Sequence, residues 1–479
     1  MDWKPIRQGH TPVYKQIAEW MEQRIASGEF PPGSRLPSER LLAKELQVNR
    51  STVVTAYEEL RAAGLVERRQ GSGTIVSRDI WGLARNRTPD WKRMAEAGLF
   101  RPNLPLIRQI RRDTQDSDML DLASGELSPE LVPHEQFRQL LAAGDFPCHF
   151  GYEHPQGNPQ LRDTLVAHMK TWKGIDAAPS SILVTAGAQQ ALHLVVQCLL
   201  QPGDAVAIED PSYCYSLPLF RSAGVRLFPL PVDSEGIDPD ELLALHGKHR
   251  IKMVFLNPNF QNPTGTFLSL PRRKRLLEIS AEHGIPIVED DPYSLTAFSG
   301  EHVPTLKSLD RHGTVLYISS LTKIVASGLR IGWVVGPRTV IERLADAKQQ
   351  IDFGHSIFPQ WLANRFLSSE WFPAHLDMLR RELAGRSERL VCSLRESFGG
   401  SAEFVPPAGG IHLWCRLTGE WSENRMLAES VKRGVIFVPG MVFGSKKGFV
   451  RFTFGRPPKE RIQDAISRLA EAYRSVCRQ

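Results

Sequence analysis

From Leu120 onward, short β-branched runs alternate with longer segments of helical spacing: SILVTAG, DAVAIED, KMVFLNP, IPIVEDD and TVLYISS are the runs. Strands joined through intervening helices run parallel, so the alternation predicts an α/β fold with a mainly parallel central sheet. In such sheets the binding loops gather at the carboxyl ends of the strands. This unit is read as residues 118–479. The chain has 479 residues, too many for one ordinary domain of roughly 100 to 200, so a second fold is expected before it. Six cysteines lie scattered without a C-x-x-C pair, and no histidine cluster has metal-ligand spacing, which argues against a disulfide framework or a metal site. No apolar run approaches the roughly 20 residues that cross a bilayer, and the N-terminal MDWKPIRQGHTP lacks a signal-peptide pattern. A cytoplasmic protein without a membrane partner is expected.

In the N-terminal part, Tyr14, Ile17, Trp20, Met21 and Ile25 repeat at helical spacing, and GEFPPGSRLPS ends that helix. Ser38 is read as the N-cap of a second helix. The turn Gln47-Val48-Asn49 leads into a third, from about Arg50 to Ala63. Two short helices joined by a three-residue turn form a helix-turn-helix, whose second helix enters the DNA major groove N-terminus first. Its leading edge is Arg50, Ser51 and Thr52, with Thr55 one turn on. LVERRQGSGTIVS then reads as two short strands around Gly71-Ser72-Gly73, a wing. Residues 1–80 are therefore read as a winged helix-turn-helix. A protein-interaction module with solvated arginines is the alternative for the motif alone. Residues 12–76 resemble the DNA-binding domain of GntR-type bacterial regulators, with R-L-P-S-E-R and R-S-T-V-x-x-A-Y as its specific segments. The resemblance implies that Arg35, Arg40, Arg50, Ser51, Thr52 and Gly73 face double-stranded DNA, with Tyr57 and Leu60 in the core. Residues 81–113 carry eight Lys or Arg against Asp90, Glu96 and Asp113 without sustained periodicity, and 81–117 is read as a basic linker.

Within 118–479, SSLTKIVASGLRIGW (319–333) surrounds Lys323 with hydroxyls and an arginine. Those groups suit a phosphate dianion. A lysine that forms a Schiff base needs a lowered pKa. The run resembles the cofactor loop of fold-type I aminotransferases. The resemblance implies that Lys323 forms a Schiff base with pyridoxal 5′-phosphate (PLP) and that Ser320 and Arg330 bind its phosphate. Ser327 is a departure, standing where many relatives have proline.

The same resemblance extends through six more segments. In VEDDPYSL, Asp290 would pair with the pyridine nitrogen and Tyr293 would donate to the ring oxygen, with Asp291 the alternative acid. Asn262 in NPNFQNPTG would donate to that oxygen as well. The amides of Ala188 and Gln189 in TAGAQQALHLV open a helix and can cradle phosphate. Tyr213 in IEDPSYCYS would stack on the ring. Tyr152 in FGYEHPQGNPQLR resembles the tyrosine that reaches the neighbouring subunit's phosphate. Arg451 in GFVRFTFGRPP would bind an effector carboxylate, with Arg456 close enough to compete.

A GntR-type reader, a basic linker and an aminotransferase-like domain in one chain resemble the MocR subfamily of bacterial regulators. That resemblance implies a homodimer, often head-to-tail, and a PLP-dependent transcription regulator sensing an amino acid, a related amine or PLP itself. The rival from another class is a working aminotransferase with a DNA-binding appendage.

Overall fold

A computed structural model describes residues 3–7, 11–69, 73–77, 94–95, 97–144, 146, 151–444 and 447–477. The chain divides into two compact units, Met1–Leu99 and Phe100–Gln479.

The smaller unit holds three helices, α1 (Val13–Ala26), α2 (Glu39–Leu46) and α3 (Arg50–Ala62), and a hairpin of β1 (Val66–Arg69) and β2 (Gly73–Val76). Ser38 Oγ accepts from the Leu41 amide at 3.3 Å and caps α2. Gln47 then takes a left-handed conformation (φ 55°) that ends α2. The turn from Gln47 to Asn49 aims α3 away from α2. Ile17, Met21 and Ile25 of α1, Leu42 and Leu46 of α2, and Val53, Ala56, Tyr57 and Leu60 of α3 close one core. Tyr57 is fixed further by its hydroxyl, which donates to the Pro37 carbonyl at 2.8 Å. Arg35 makes an isolated antiparallel bridge to Ile75, so the segment before α2 lies along the hairpin. Gly71 and Ser72 of the expected wing tip fall outside the described residues.

The larger unit begins earlier than residue 118. Within the stretch read as linker, Pro105–Asp113 forms a helix, α4, with Pro105 at its first position, where proline's missing N–H costs nothing. Ile110 is buried, and Leu106 and Ile107 pack against the main core. Three apolar residues at helical spacing dock what its many arginines had marked as a tether.

Eight strands make the central sheet: β3 (Ile182–Thr185), β4 (Ala205–Asp210), β5 (Arg226–Asp233), β6 (Gly236–Ile237), β7 (Met253–Leu256), β8 (Ile287–Asp290), β9 (Val315–Ser320) and β10 (Gly332–Val335). Their order across the sheet is β3-β10-β9-β8-β7-β4-β5-β6. All neighbours pair parallel except β10, antiparallel to both β3 and β9, and the edge strand β6. Strands β3, β7 and β8 are buried at every residue, as a sheet covered by helices on both faces requires. A smaller antiparallel sheet contains His412–Leu417 and Phe449–Thr453, in a register that sets His412 opposite Thr453 and Trp414 opposite Arg451. Among the described residues no helix is long and apolar enough to cross a membrane.

Candidate functional site

The carboxyl ends of the parallel strands converge on one cavity of about 710 Å³. Its walls include Ala188, Gln189, Tyr213, Asn262, Asp290, Tyr293, Ser320, Lys323, Arg330 and Arg451. Every cofactor residue expected from the sequence is therefore gathered there except Tyr152. That residue is 79 % exposed, with its ring 5.3 Å from Phe353.

Lys323 follows β9 on a short 3-10 turn, Leu321–Lys323. Its ammonium donates to the Gly125 carbonyl. Burial, reinforced by Arg451, pulls its pKa down to about 8 against the opposing pull of Glu126 and Asp290. The amine is thus within reach of its nucleophilic form near neutral pH.

Asp290 ends β8. One carboxylate oxygen accepts from the Tyr213 hydroxyl, and the other is buried without a partner. Burial, with Asp291 adding to it, raises its pKa to about 6 although Tyr213 and Lys323 favour the charged form. Asp291 has a different fate. It accepts from Lys173 at 2.7 Å, from Ser294 Oγ at 2.6 Å, from Tyr317 at 2.8 Å and from Asn259 at 3.2 Å. Burial works against its charge, but Lys173 and these donors hold its pKa below the usual value. Of the two adjacent acids, Asp290 faces the cavity and Asp291 anchors the loop. The Asn257 side chain bridges this loop to the next, donating to the Asp290 carbonyl at 2.8 Å and accepting from the Asn262 amide at 2.7 Å.

At the other end of the cavity, α5 (Ala188–Leu199) starts on Gly187, whose φ of 85° only glycine adopts readily. A Cβ there would meet the Arg330 guanidinium at 2.8 Å, and one on Gly332 would meet the Gly187 backbone at 2.7 Å. Two glycines thus let Arg330 lie against the start of α5, where its guanidinium donates to the Ala186 carbonyl at 2.8 Å. Helix-start amides beside an arginine make a site for a dianionic oxyanion.

Arg451 donates to Asn262 Oδ1 at 3.0 Å and to the Ala123 carbonyl at 2.5 Å, and its Nε has no partner. Both acceptors are neutral, so its charge stays available. Arg456 sits 3.5 Å from the Asp121 carboxylate, so of the two competing arginines it is the one paired with an acid. The bond from Arg451 also orients the Asn262 amide, directing its NH2 away from the arginine.

Tyr293, expected to donate to a cofactor's ring oxygen, has a partner within the protein. Its hydroxyl lies 3.1 Å from His412 Nε2, and His412 Nδ1 lies 3.0 Å from Thr453 Oγ1. Thr453 donates in turn to the Ala123 carbonyl at 3.5 Å, which leaves its oxygen to accept from Nδ1–H and leaves Nε2 to accept from Tyr293. Burial, with Arg451 and Lys323, holds the imidazole well below its usual pKa. The Tyr293 proton therefore points at a neutral histidine. Sequence reasoning missed His412, a lone histidine in GGIHLW, and missed the cavity residues Ile107, Ile110, Arg111, Thr114 and Gln115 of α4 and its end.

In the smaller unit, Arg35, Arg40, Arg50, Ser51, Thr55 and Gly73 are exposed and Thr52 is half-buried, whereas Tyr57 and Leu60 are buried. Arg50 is held by Glu39 at 2.9 Å. Thr55 Oγ1 donates to the Ser51 carbonyl at 3.1 Å.

The parallel sheet, the lysine after its strand and the winged helix-turn-helix together define a regulator-type reader joined to an aminotransferase scaffold. Residues 117–469 match the family model "Aminotransferase class I and II", and residues 13–76 match "Bacterial regulatory proteins, gntR family". The chain is 38 % identical over 463 residues to the "Uncharacterized HTH-type transcriptional regulator YdfD" of Bacillus subtilis (strain 168), covering 96 % of this chain and 95 % of that one. Among solved structures, the kynurenine aminotransferase of Pyrococcus horikoshii in complex with PMP is similar at 30 % identity, with a TM-score of 0.75 over 81 % of this chain and 98 % of that one. LysN, the α-aminoadipate aminotransferase of Thermus thermophilus complexed with N-(5′-phosphopyridoxyl)-L-leucine, is similar at 29 % identity, with a TM-score of 0.73 over 81 % of this chain and 99 % of that one. The chain belongs to the aminotransferase class I and II family and, through its N-terminal helix-turn-helix, to the gntR regulators of MocR type.

Proposed function

We propose that this chain is a transcription regulator whose larger unit holds PLP on Lys323 and uses it to sense an amino acid or related amine. One observation carries the reading: a single cavity joins a lysine with a lowered pKa, a buried carboxylate oxygen without a partner and an oxyanion cradle, in a chain that also carries a winged helix-turn-helix. The residues fit the cofactor at both ends. Ala188, Gln189, Ser320 and Arg330 would hold its phosphate. The free oxygen of Asp290 would accept a hydrogen bond from its protonated ring nitrogen, Asn262 would donate to its ring oxygen, and Tyr213 would leave its present bond to Asp290 to stack on the ring. When bound, PLP supplies an electrophilic carbon for an incoming amine and a ring that withdraws electrons from it.

Arg451 and the oriented Asn262 would receive the effector's carboxylate, and Lys323 would be released as the amine takes its place. An effector that binds two arrangements of the protein unequally shifts their populations, by roughly 1 to 3 kcal/mol in typical couplings. Arg35, Arg40, Arg50, Ser51, Thr52, Thr55 and Gly73 would carry the DNA contacts. The exposure of Tyr152 and Phe353 favours a homodimer in which Tyr152 completes the partner's site. A second reading, amino-group transfer with turnover, is favoured by the same set of groups and by the likeness to aminotransferases.

Incubation of the PLP-loaded protein with a panel of amino acids and amines separates the two. The sensor reading expects a spectral change with altered DNA binding and no sustained production of a keto acid. Steady turnover with a keto-acid acceptor, and no effect on DNA binding, would overturn it.

A further inference from the structure

Residues Trp3–Arg7 precede the part of the chain that resembles gntR regulators, yet they are firmly built onto the smaller unit. Trp3 stacks on Trp20 of α1 at 4.8 Å between centroids and 8° between planes, and the Arg24 guanidinium lies 4.7 Å from the Trp20 ring centre. The Gln16 side chain takes both backbone groups of Ile6, accepting from its amide at 2.9 Å and donating to its carbonyl at 3.0 Å. A stacked indole pair and a two-point clasp give this arm one path along the unit.

The path ends at the turn of the helix-turn-helix. Lys4 Nζ donates to Gln47 Oε1 at 3.1 Å, and the Arg7 guanidinium donates to the Gln47 carbonyl. Both acceptors are neutral and both cations are exposed. Neither has a carboxylate partner among the described residues. Neutral donors would brace Gln47 as well as these do, so the two full positive charges are left over. They are held at Gln47, three residues before Arg50, the leading residue of α3. When a recognition helix enters the major groove by its N-terminus, the preceding turn lies beside the sugar-phosphate backbone that flanks the groove.

We infer that the arm Trp3–Arg7 is a second DNA-contacting surface, in which Lys4 and Arg7 bind backbone phosphates of duplex DNA beside α3. It adds affinity that is independent of base sequence, because base edges are left to α3. The inference rests on the DNA-binding reading above, and it is tested without knowing the operator.

The full-length protein is titrated onto a fluorescent random-sequence duplex across a salt series. Each phosphate neutralised contributes about 0.9 to the slope of log affinity against log salt. The double variant Lys4→Gln with Arg7→Gln is expected to flatten that slope by about 1.8. Trp3→Ala, which undocks the arm without changing charge, is expected to move it the same way. A double variant with the wild-type slope overturns the inference, and so does a lowered melting temperature with the slope unchanged, since the arm would then only brace the turn. A wild-type slope in Trp3→Ala beside a flattened double variant overturns the placement, because charge alone would explain the result. If the wild-type protein shows no salt-dependent binding and Arg50→Ala does not differ from it, the DNA-binding reading itself fails. That outcome is distinct from silence confined to the arm variants.

Discussion

Replacing Asp290 by asparagine is expected to weaken cofactor binding and to strengthen the cofactor-free fold. Asp290 is buried, with one oxygen on Tyr213 and the other unpartnered. Opposite a protonated ring nitrogen, that oxygen makes a charge-assisted hydrogen bond worth about 1.5 to 3 kcal/mol. Its loss weakens PLP binding by about ten- to 150-fold. Without cofactor the sign reverses. Burial raises the pKa of this carboxyl from the usual 3.8 to about 6, so the native state favours the protonated form. The penalty for ionising it is absent below the unfolded pKa, grows as pH rises and is complete above the folded value. A displacement of this size corresponds to about 3 kcal/mol. The asparagine variant avoids that penalty, so the cofactor-free protein should melt a few degrees above wild type at pH 8 and equally with it in acid. Equilibrium dialysis against PLP and thermal unfolding at the two pH values measure both effects. Near wild-type PLP affinity, or a cofactor-free variant less stable than wild type at pH 8, would refute the reasoning.

Lys323→Ala should leave a folded protein, by circular dichroism, that lacks the absorbance band of a lysine-bound cofactor. Lys173→Met strands the buried charge of Asp291 and should cost about 3 to 5 kcal/mol at pH 7. Because Asp291 has a lowered pKa, that stabilisation is present above the unfolded value and lost as pH falls through the folded one, so chemical denaturation should show the deficit shrinking in acid. Arg50→Ala should weaken DNA binding without changing PLP affinity, both read by titration. His412→Phe frees the Tyr293 hydroxyl to donate into the cavity, and a donor to the cofactor's ring oxygen favours its charged form. The pH midpoint of the bound cofactor's absorbance should therefore fall, and it should not move when Tyr293→Phe is already in place.

The parallel sheet was legible in the spacing of its strands, and the gathering of Lys323, Asp290, Asn262, Tyr213 and Arg330 in one cavity was legible through the resemblance to fold-type I aminotransferases, whose motifs are each local: a strand end, a loop and a residue at fixed spacing from it. The winged unit was legible for the same reason, since Ser38, the turn at Gln47 and the apolar spacing of α1 and α3 lie close together in the chain. Decisions made by distant partners were not. Asp290 and Asp291 are adjacent, and what separates them is Lys173, which is 118 positions away from Asp291. The proton of Tyr293 is aimed by His412, 119 positions on. Helix α4 was hidden by its arginines, although Leu106, Ile107 and Ile110 already mark one apolar face.

That helix gives the cavity an unusual neighbour. Ile107, Arg111 and Gln115 face the same space as Lys323, and just ahead of α4 Phe100 stacks on His193 and the Arg101 amide donates to Ser222 Oγ at 2.9 Å. A stretch whose charge marks it in the sequence as a linker is therefore part of the cavity's own wall. A molecule large enough to touch these three side chains touches α4 as well as the lysine. Replacing these three side chains would reshape that wall while leaving every proposed cofactor contact in place.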